Sequence, residues 1–169
     1  LLSIFTITLI NGLFLEKYYV SKKVEVLEEA KEVLSQMNLD DILQYDTDIE
    51  EDKKGATDEI SDEIERSSSR NNLTWIIVNE ENSGYYYWGE NNMAKMLRSK
   101  LFGYINNLDQ DMQHSRVLKK TDTCTMWQVH DRFAGMEYVE CWGQFDNGYY
   151  FLIRSPLESI KESASISNS

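Results

Sequence analysis

The sequence is poor in the residues that usually announce chemistry. It has a single proline and eight glycines in 169 residues, which excludes a collagen-like or linker-like chain. Two cysteines are too few for a disulfide scaffold, and they form no C-x-x-C pair. The two histidines, His114 and His130, stand apart from each other and from the cysteines, so the usual zinc spacing is missing. No phosphate-cradling glycine loop, dinucleotide fingerprint, nucleophile elbow or H-E-x-x-H helix occurs. Positive charge is also scarce: 17 Lys+Arg against 29 Asp+Glu leave a net charge of −12. A chain of that sign repels nucleic acid and anionic lipid. We therefore expect no catalytic residues, no metal site and no nucleic-acid partner in this chain.

What is present is enough for one packed domain. Hydrophobic residues make up 41% of the chain and aromatics 12%, so a core can be built at this length. Leu1 to Leu15 is uncharged throughout, and Glu16-Lys17-Tyr18-Tyr19 follows. A spanning helix needs about 20 apolar residues. The stretch 1–15 reads as the end of a membrane-spanning helix whose start lies outside the sequence, with the tyrosines at the interface. The rival readings are a signal peptide and a buried core helix. Against the first, there is no basic segment before the apolar run and no small-residue cleavage pattern after it. The far end, 163–169, also stops in mid-element, as an excised domain would.

Residues 16–37 continue as one long helix, without Pro or Gly from Tyr18 to Met37. Val20, Val24, Leu27 and Leu34 together with Val26, Ala30, Val33 and Met37 cover an arc of about half the helix circumference, interrupted by Lys31. An arc that wide serves one broad core contact, or its own domain and a second subunit. Residues 38–72 form an acidic loop and short helix: twelve acidic residues fall between Asp40 and Glu65, against Lys53 and Lys54. Thr57 is placed to cap a helix with Asp58 and Glu59 in its first turn. No EF-hand spacing is present, so this region reads as a solvated face rather than a cation site. Ser67 to Asn72 is expected to be a loop.

From Leu73 the pattern becomes β-branched and aromatic. Leu73–Asn79 and Tyr85–Trp88 predict two strands. Gly89 and Asn91 or Asn92 open a helix with Met93, Met96, Leu97, Leu101, Tyr104, Ile105 and Leu108 on one face. Asp109–Arg116 reads as a polar loop and Val117–Asp131 as one strand region. A turn at Arg132–Gly135 leads into a strand at Met136–Phe145. Asp146-Asn147-Gly148 is a hairpin signal in which two successive residues can take positive φ, and a strand at Tyr149–Arg154 follows. Ser155-Pro156-Leu157-Glu158 has the form of a capping box with Pro in the first helical position, so 156–169 is expected to be an exit helix. The predicted fold is α+β: a long N-terminal helix, a five-stranded antiparallel sheet over 73–155 with a helix on one face, and a C-terminal helix.

Asp146-Asn147-Gly148-Tyr149-Tyr150, followed by Ser155-Pro156-Leu157-Glu158-Ser159-Ile160, resembles the extracellular sensor region of bacterial transmembrane sensor histidine kinases of the clostridial type. The resemblance spans the chain and is strongest from Leu73 onward. It implies a PAS-like sensor domain between two membrane helices, a homodimer, and an ATP-using kinase core beyond residue 169. It also implies a response-regulator partner, an extracellular ligand of unknown identity and no cofactor in this segment. The parent would be a transferase and a phosphoprotein of the cell membrane, acting in signal transduction. The alternative is a membrane-anchored extracytoplasmic binding or adaptor protein with no kinase core.

His130-Asp131 superficially begins like a kinase phosphoacceptor, but it lies in an alternating strand pattern with no proline close behind. Cys124 and Cys141 fall on strands paired by the 132–135 turn, as diagonal neighbours on one face, either as two buried thiols or as a disulfide. Trp75, Tyr87, Trp127, Tyr138 and Trp142 sit on predicted strands. Their facing sides either fill the core or line a ligand cavity beneath the helix, with Arg98 or Arg154 supplying a charge.

Overall fold

The computed structural model describes residues 2–37, 58–79, 84–90 and 92–157. Helix α1 (Leu2–Ser35) is 34 residues long, about 51 Å at 1.5 Å per residue. Its two halves differ. Residues 3–18 are exposed, whereas Val20, Leu27, Ala30, Leu34 and Met37 are buried. Leu27, Ala30, Leu34 and Met37 recur at three–four spacing, which keeps one stripe against the sheet. Lys23 falls on that stripe where another apolar residue would be expected. Its ammonium reaches Ser155 Oγ at 2.7 Å, and burial lowers its pKa.

Helix α2 (Asp58–Arg70) packs beside α1. It runs further than the sequence pattern predicts, because Ser67–Arg70 continues the helix instead of forming a loop. Ser68 is buried there and accepts a hydrogen bond from Trp75 Nε1 at 3.0 Å, a tertiary contact that holds a serine-rich turn helical. Asn72, at φ 53°, then stops the helix. Thr57 and most of the acidic stretch lie outside the described residues.

Among the described residues the sheet has six strands, β1 (Thr74–Val78), β2 (Tyr85–Trp88), β3 (Ser115–Lys120), β4 (Cys124–Asp131), β5 (Met136–Gln144) and β6 (Tyr150–Pro156). They lie in the order β2-β1-β6-β5-β4-β3, all antiparallel. The sixth strand arises because the expected strand 117–131 is two strands. Thr121, Asp122 and Thr123 turn the chain, with the Thr121 amide donating to the Cys124 carbonyl at 2.8 Å. The expected polar loop at 109–116 is a 3₁₀ turn at Gln110–His114 followed by the start of β3. The Asp109 side chain accepts from the Asp111 amide and caps that turn.

Helix α3 (Ala94–Ile105) lies on the face opposite α1 and carries the chain from the β2 edge to the β3 edge. Leu97, Leu101 and Tyr104 are buried as the spacing predicts. Leu108 is not on that face. Asn107 takes φ 58°, the helix ends before it, and Leu108 is exposed.

The β5–β6 hairpin forms at Asp146-Asn147-Gly148, with one positive φ rather than two. Gly148 alone is left-handed (φ 91°), while the Tyr149 amide donates to Asn147 Oδ1. Gly148 N–H to Phe145 O at 2.9 Å and Phe145 N–H to Tyr149 O at 2.8 Å close the three-residue loop. Pro156 pairs in register with Tyr138, so it ends β6 rather than beginning a helix. Ser155 is buried and donates to the Asn71 carbonyl at 2.9 Å instead of capping. Residues 158–169, the body of the expected exit helix, lie outside the described residues. Among the described residues no helix is long and apolar enough to cross a membrane.

Strand alternation sorts the core into two faces. Trp75, Ile77, Met126, Val139, Cys141, Phe151 and Ile153 face α1. Ile76, Val78, Trp127, Val129, Tyr138 and Leu152 face α3. Leu27 and Leu34 are fully buried; each contributes about 1.5–3 kcal/mol of transfer free energy to holding α1 in place.

Candidate functional site

Beneath α3 the core is charged. Glu140 and Asp131 are fully buried, and Arg154, Lys100 and Asp111 nearly so. Each comes from a different element. Lys100 occupies the buried face of α3 between Leu97 and Tyr104, and Asp111 sits in the 3₁₀ turn. Asp131 closes β4, Glu140 is central in β5, and Arg154 stands opposite Glu140 on β6.

The contacts form one chain. Arg132 Nε lies 3.0 Å from Asp111 Oδ1, and Lys100 Nζ 2.8 Å from Asp111 Oδ2. Lys100 also stands 3.8 Å from Asp131 Oδ2, which receives Arg154 Nη1 at 2.7 Å. The Ala134 amide donates to Asp131 Oδ1 at 3.0 Å, so the β4–β5 turn itself orients this carboxylate. Glu140 Oε1 accepts from Tyr104 OH at 2.6 Å and from Trp127 Nε1 at 2.9 Å. Tyr138 lies under the Arg154 guanidinium, 4.0 Å from ring centroid to Cζ.

The electrostatics separate the carboxyls. Burial pushes the Glu140 pKa up, despite Arg154 and the hydrogen bonds from Tyr104 and Trp127. Burial acts in the same direction on Asp131 and Asp111 but is outweighed. The Ala134 amide and Arg154 hold Asp131 below the usual carboxylate range, and Lys100 with Arg132 does so for Asp111. Burial and the neighbouring Glu140 raise the Tyr104 hydroxyl far above its ordinary value, so it stays protonated and donates. Three buried polar atoms here have no hydrogen bond: Glu140 Oε2, Trp142 Nε1 and Arg154 Nε. One acceptor and two donors are the unused hydrogen-bonding capacity of the site.

Of the two roles open to the strand aromatics, core filling and cavity lining, those beneath α3 mostly fill the core. Tyr104, Trp127 and Trp142 pack as a triad with centroids 4.9, 5.4 and 5.3 Å apart. Trp127, Tyr138, Trp142 and Arg154 are thus brought together. Tyr87 faces the same side, at the β2 edge, and donates to the Glu90 carbonyl at 2.7 Å. Arg98 lies over the Tyr85 and Phe102 rings at 5.9 and 5.8 Å, outside the ion chain. Trp75 does not belong to the set, because strand alternation turns it to the α1 face, against Tyr86 and Ser68.

The sequence reading missed Lys100, Tyr104 as a donor, Asp111, Asp131 and Glu140. The signal was available in two places. Lys100 sits three residues after Leu97 and four before Tyr104, on an apolar stripe. Glu140 lies between Val139 and Cys141 in a strand flanked by aromatics.

His130 lies on β4 opposite Glu137, in strand geometry unlike that of a phosphoacceptor helix. It borders a separate polar cleft of about 360 Å³ with His114, Glu16 and Glu137. Among the described residues no group of His, Cys, Asp and Glu is arranged to hold a metal ion. The ion chain contains no nucleophile–base pair; what it can do is lock α3, the 3₁₀ turn and the sheet into one arrangement. No family model, curated protein or solved structure matches this chain.

Proposed function

We propose that the chain is the extracellular sensor domain of a transmembrane two-component sensor histidine kinase. It detects a cue and relays it through α1 and the segment after β6. The observation that carries this reading is the division of α1. One continuous helix is clamped to the sheet by Leu27, Ala30 and Leu34, yet its first half, residues 3–18, is exposed. That half presents Ile4, Phe5, Ile7, Leu9, Ile10, Leu13, Phe14 and Leu15 to its surroundings. A helix built this way transmits a shift of the sheet to whatever holds its apolar end, and a membrane is the medium that suits such a surface.

The strand order, with a helix inserted between β2 and β3, supports the PAS-like reading of the sheet domain. The ion chain fixes one arrangement of α3 against the sheet, and a ligand biases a domain only by preferring one of its arrangements. The parent works as a homodimer, with ATP consumed by a kinase core beyond residue 169 and the phosphoryl group passed to a response regulator.

The test is an insertion series in the full-length parent. One to four alanines placed after Tyr18 rotate the apolar half of α1 by about 100° per residue relative to the domain. Autophosphorylation from ATP in isolated membranes should vary periodically and recover near four residues. Output indifferent to every insertion would sink the relay, and a parent lacking a kinase core would favour the adaptor protein.

A further inference from the structure

We propose that Cys124 and Cys141 form a reversible disulfide between β4 and β5, making the pair a thiol–disulfide switch against helix α1. Both cysteines are free thiols here, and their sulfurs are 3.0 Å apart. A disulfide needs about 2.05 Å between sulfurs, so closure requires a shift of only about 1 Å.

The backbone builds this approach. Cys124 stands opposite Gly143 and Cys141 opposite Met126, a diagonal pair on the α1 face. A Cβ on Gly143 would come within 2.0 Å of the Thr123 carbonyl oxygen and 2.9 Å of Cys124 Cα. With no side chain there, the start of β4 lies down on β5, fixed by the Gln144 amide donating to Thr123 O at 3.0 Å.

The two thiols are unequal. Cys124 is half-buried and Cys141 fully buried. The hydrogen bond between the two sulfurs, helped by the charges of Lys31 and Lys119, lowers the Cys124 pKa; the same hydrogen bond and burial raise that of Cys141. Cys124 is therefore the thiol that meets an oxidant, and Cys141 the one that resolves the product.

The oxidant class is a small disulfide such as oxidised glutathione. The Cys124 thiolate attacks one glutathione sulfur, the glutathione S–S bond breaks, and one glutathione thiolate leaves. Cys141, losing its proton, then attacks Cys124 Sγ and expels the second glutathione. Two protein thiols are oxidised, one small disulfide is reduced to two thiols, and both protons end on glutathione. The pair packs in the same cluster as Leu27, Ala30 and Leu34, so closure is felt where α1 meets the sheet.

The test is incubation of the protein in oxidised glutathione, alkylation of remaining thiols, and intact-mass measurement. Wild type should lose both alkylatable thiols together, retain no glutathione, and recover both thiols with dithiothreitol. Cys141→Ser should accumulate glutathione on Cys124. Wild type that keeps both thiols, or holds a stable glutathione adduct beside a free thiol, overturns the proposal. The wild-type measurement decides even if the variant does not fold.

Discussion

Glu140 and Arg154 are direct cross-strand partners, yet their ion pair is long and carries no hydrogen bond. Arg154 Nη1 lies 3.7 Å from Glu140 Oε2 and 2.7 Å from Asp131 Oδ2. The guanidinium is drawn toward the end of β4, and Glu140 is left to the neutral donors Tyr104 and Trp127. Three strands and α3 are tied together by this unequal sharing, and its consequences can be measured.

Removing both partners of the buried pair should cost clearly less than the sum of removing each alone. Asp131→Asn leaves the Arg154 charge facing only Glu140, and Arg154→Met leaves Asp131 to Lys100 and the Ala134 amide. Each single change should destabilise by about 3–5 kcal/mol, and the double variant by clearly less than the sum. Urea midpoints of the four proteins give the coupling; additive losses would mean that the pair does not act as a unit.

Glu140 and the two aspartates should titrate stability in opposite directions. The native pKa of Glu140 is raised above the unfolded value of about 4.3. Its contribution is fully present below that pH and lost as pH rises through the native value. Asp131 and Asp111 are depressed, so theirs are present above about 3.9 and lost as pH falls through the native values. Glu140→Gln cannot ionise. Its stability relative to wild type should therefore improve as pH rises above the unfolded value of about 4.3, while both proteins share the acid loss. Parallel urea-midpoint curves across that range would refute the raised Glu140.

The bare half of α1 should contribute almost nothing to folding. Residues 3–18 are exposed, and the first buried anchor is Val20. A chain starting at Tyr18 should match the full chain in unfolding free energy within about 0.5 kcal/mol. It should also lose association with detergent micelles or lipid vesicles. A larger loss of stability in urea, or unchanged vesicle binding, would contradict this division of the helix.

Local patterns in the sequence determined the α+β class, the long first helix, both hairpins around β5 and the apolar face of α3. Each of these depends on periodicity or turn chemistry within a few residues: Leu27 to Leu34 along one stripe, Gly148 at a left-handed position. The diagonal placement of Cys124 and Cys141 followed from counting about a turn. Other features were decided only by tertiary structure. Thr121–Thr123 contains no Pro or Gly to mark a turn; β3 and β4 are split by the Thr121 hydroxyl accepting from the Cys124 amide and by pairing along the sheet. Ser155-Pro156 carries a genuine cap signal, but the bond to Asn71 and the register with Tyr138 hold it in β6. Trp75 and Trp127 look alike in sequence and point to opposite faces. Above all, Lys100, Asp111, Asp131, Glu140 and Arg154 are scattered over more than fifty positions of the sequence, and of these only Arg154 stands out there, as a charge beside a candidate cavity. A buried charge is tolerable only when opposite charges and donors surround it, and that company is assembled by strand register and helix packing, which no short stretch of sequence encodes.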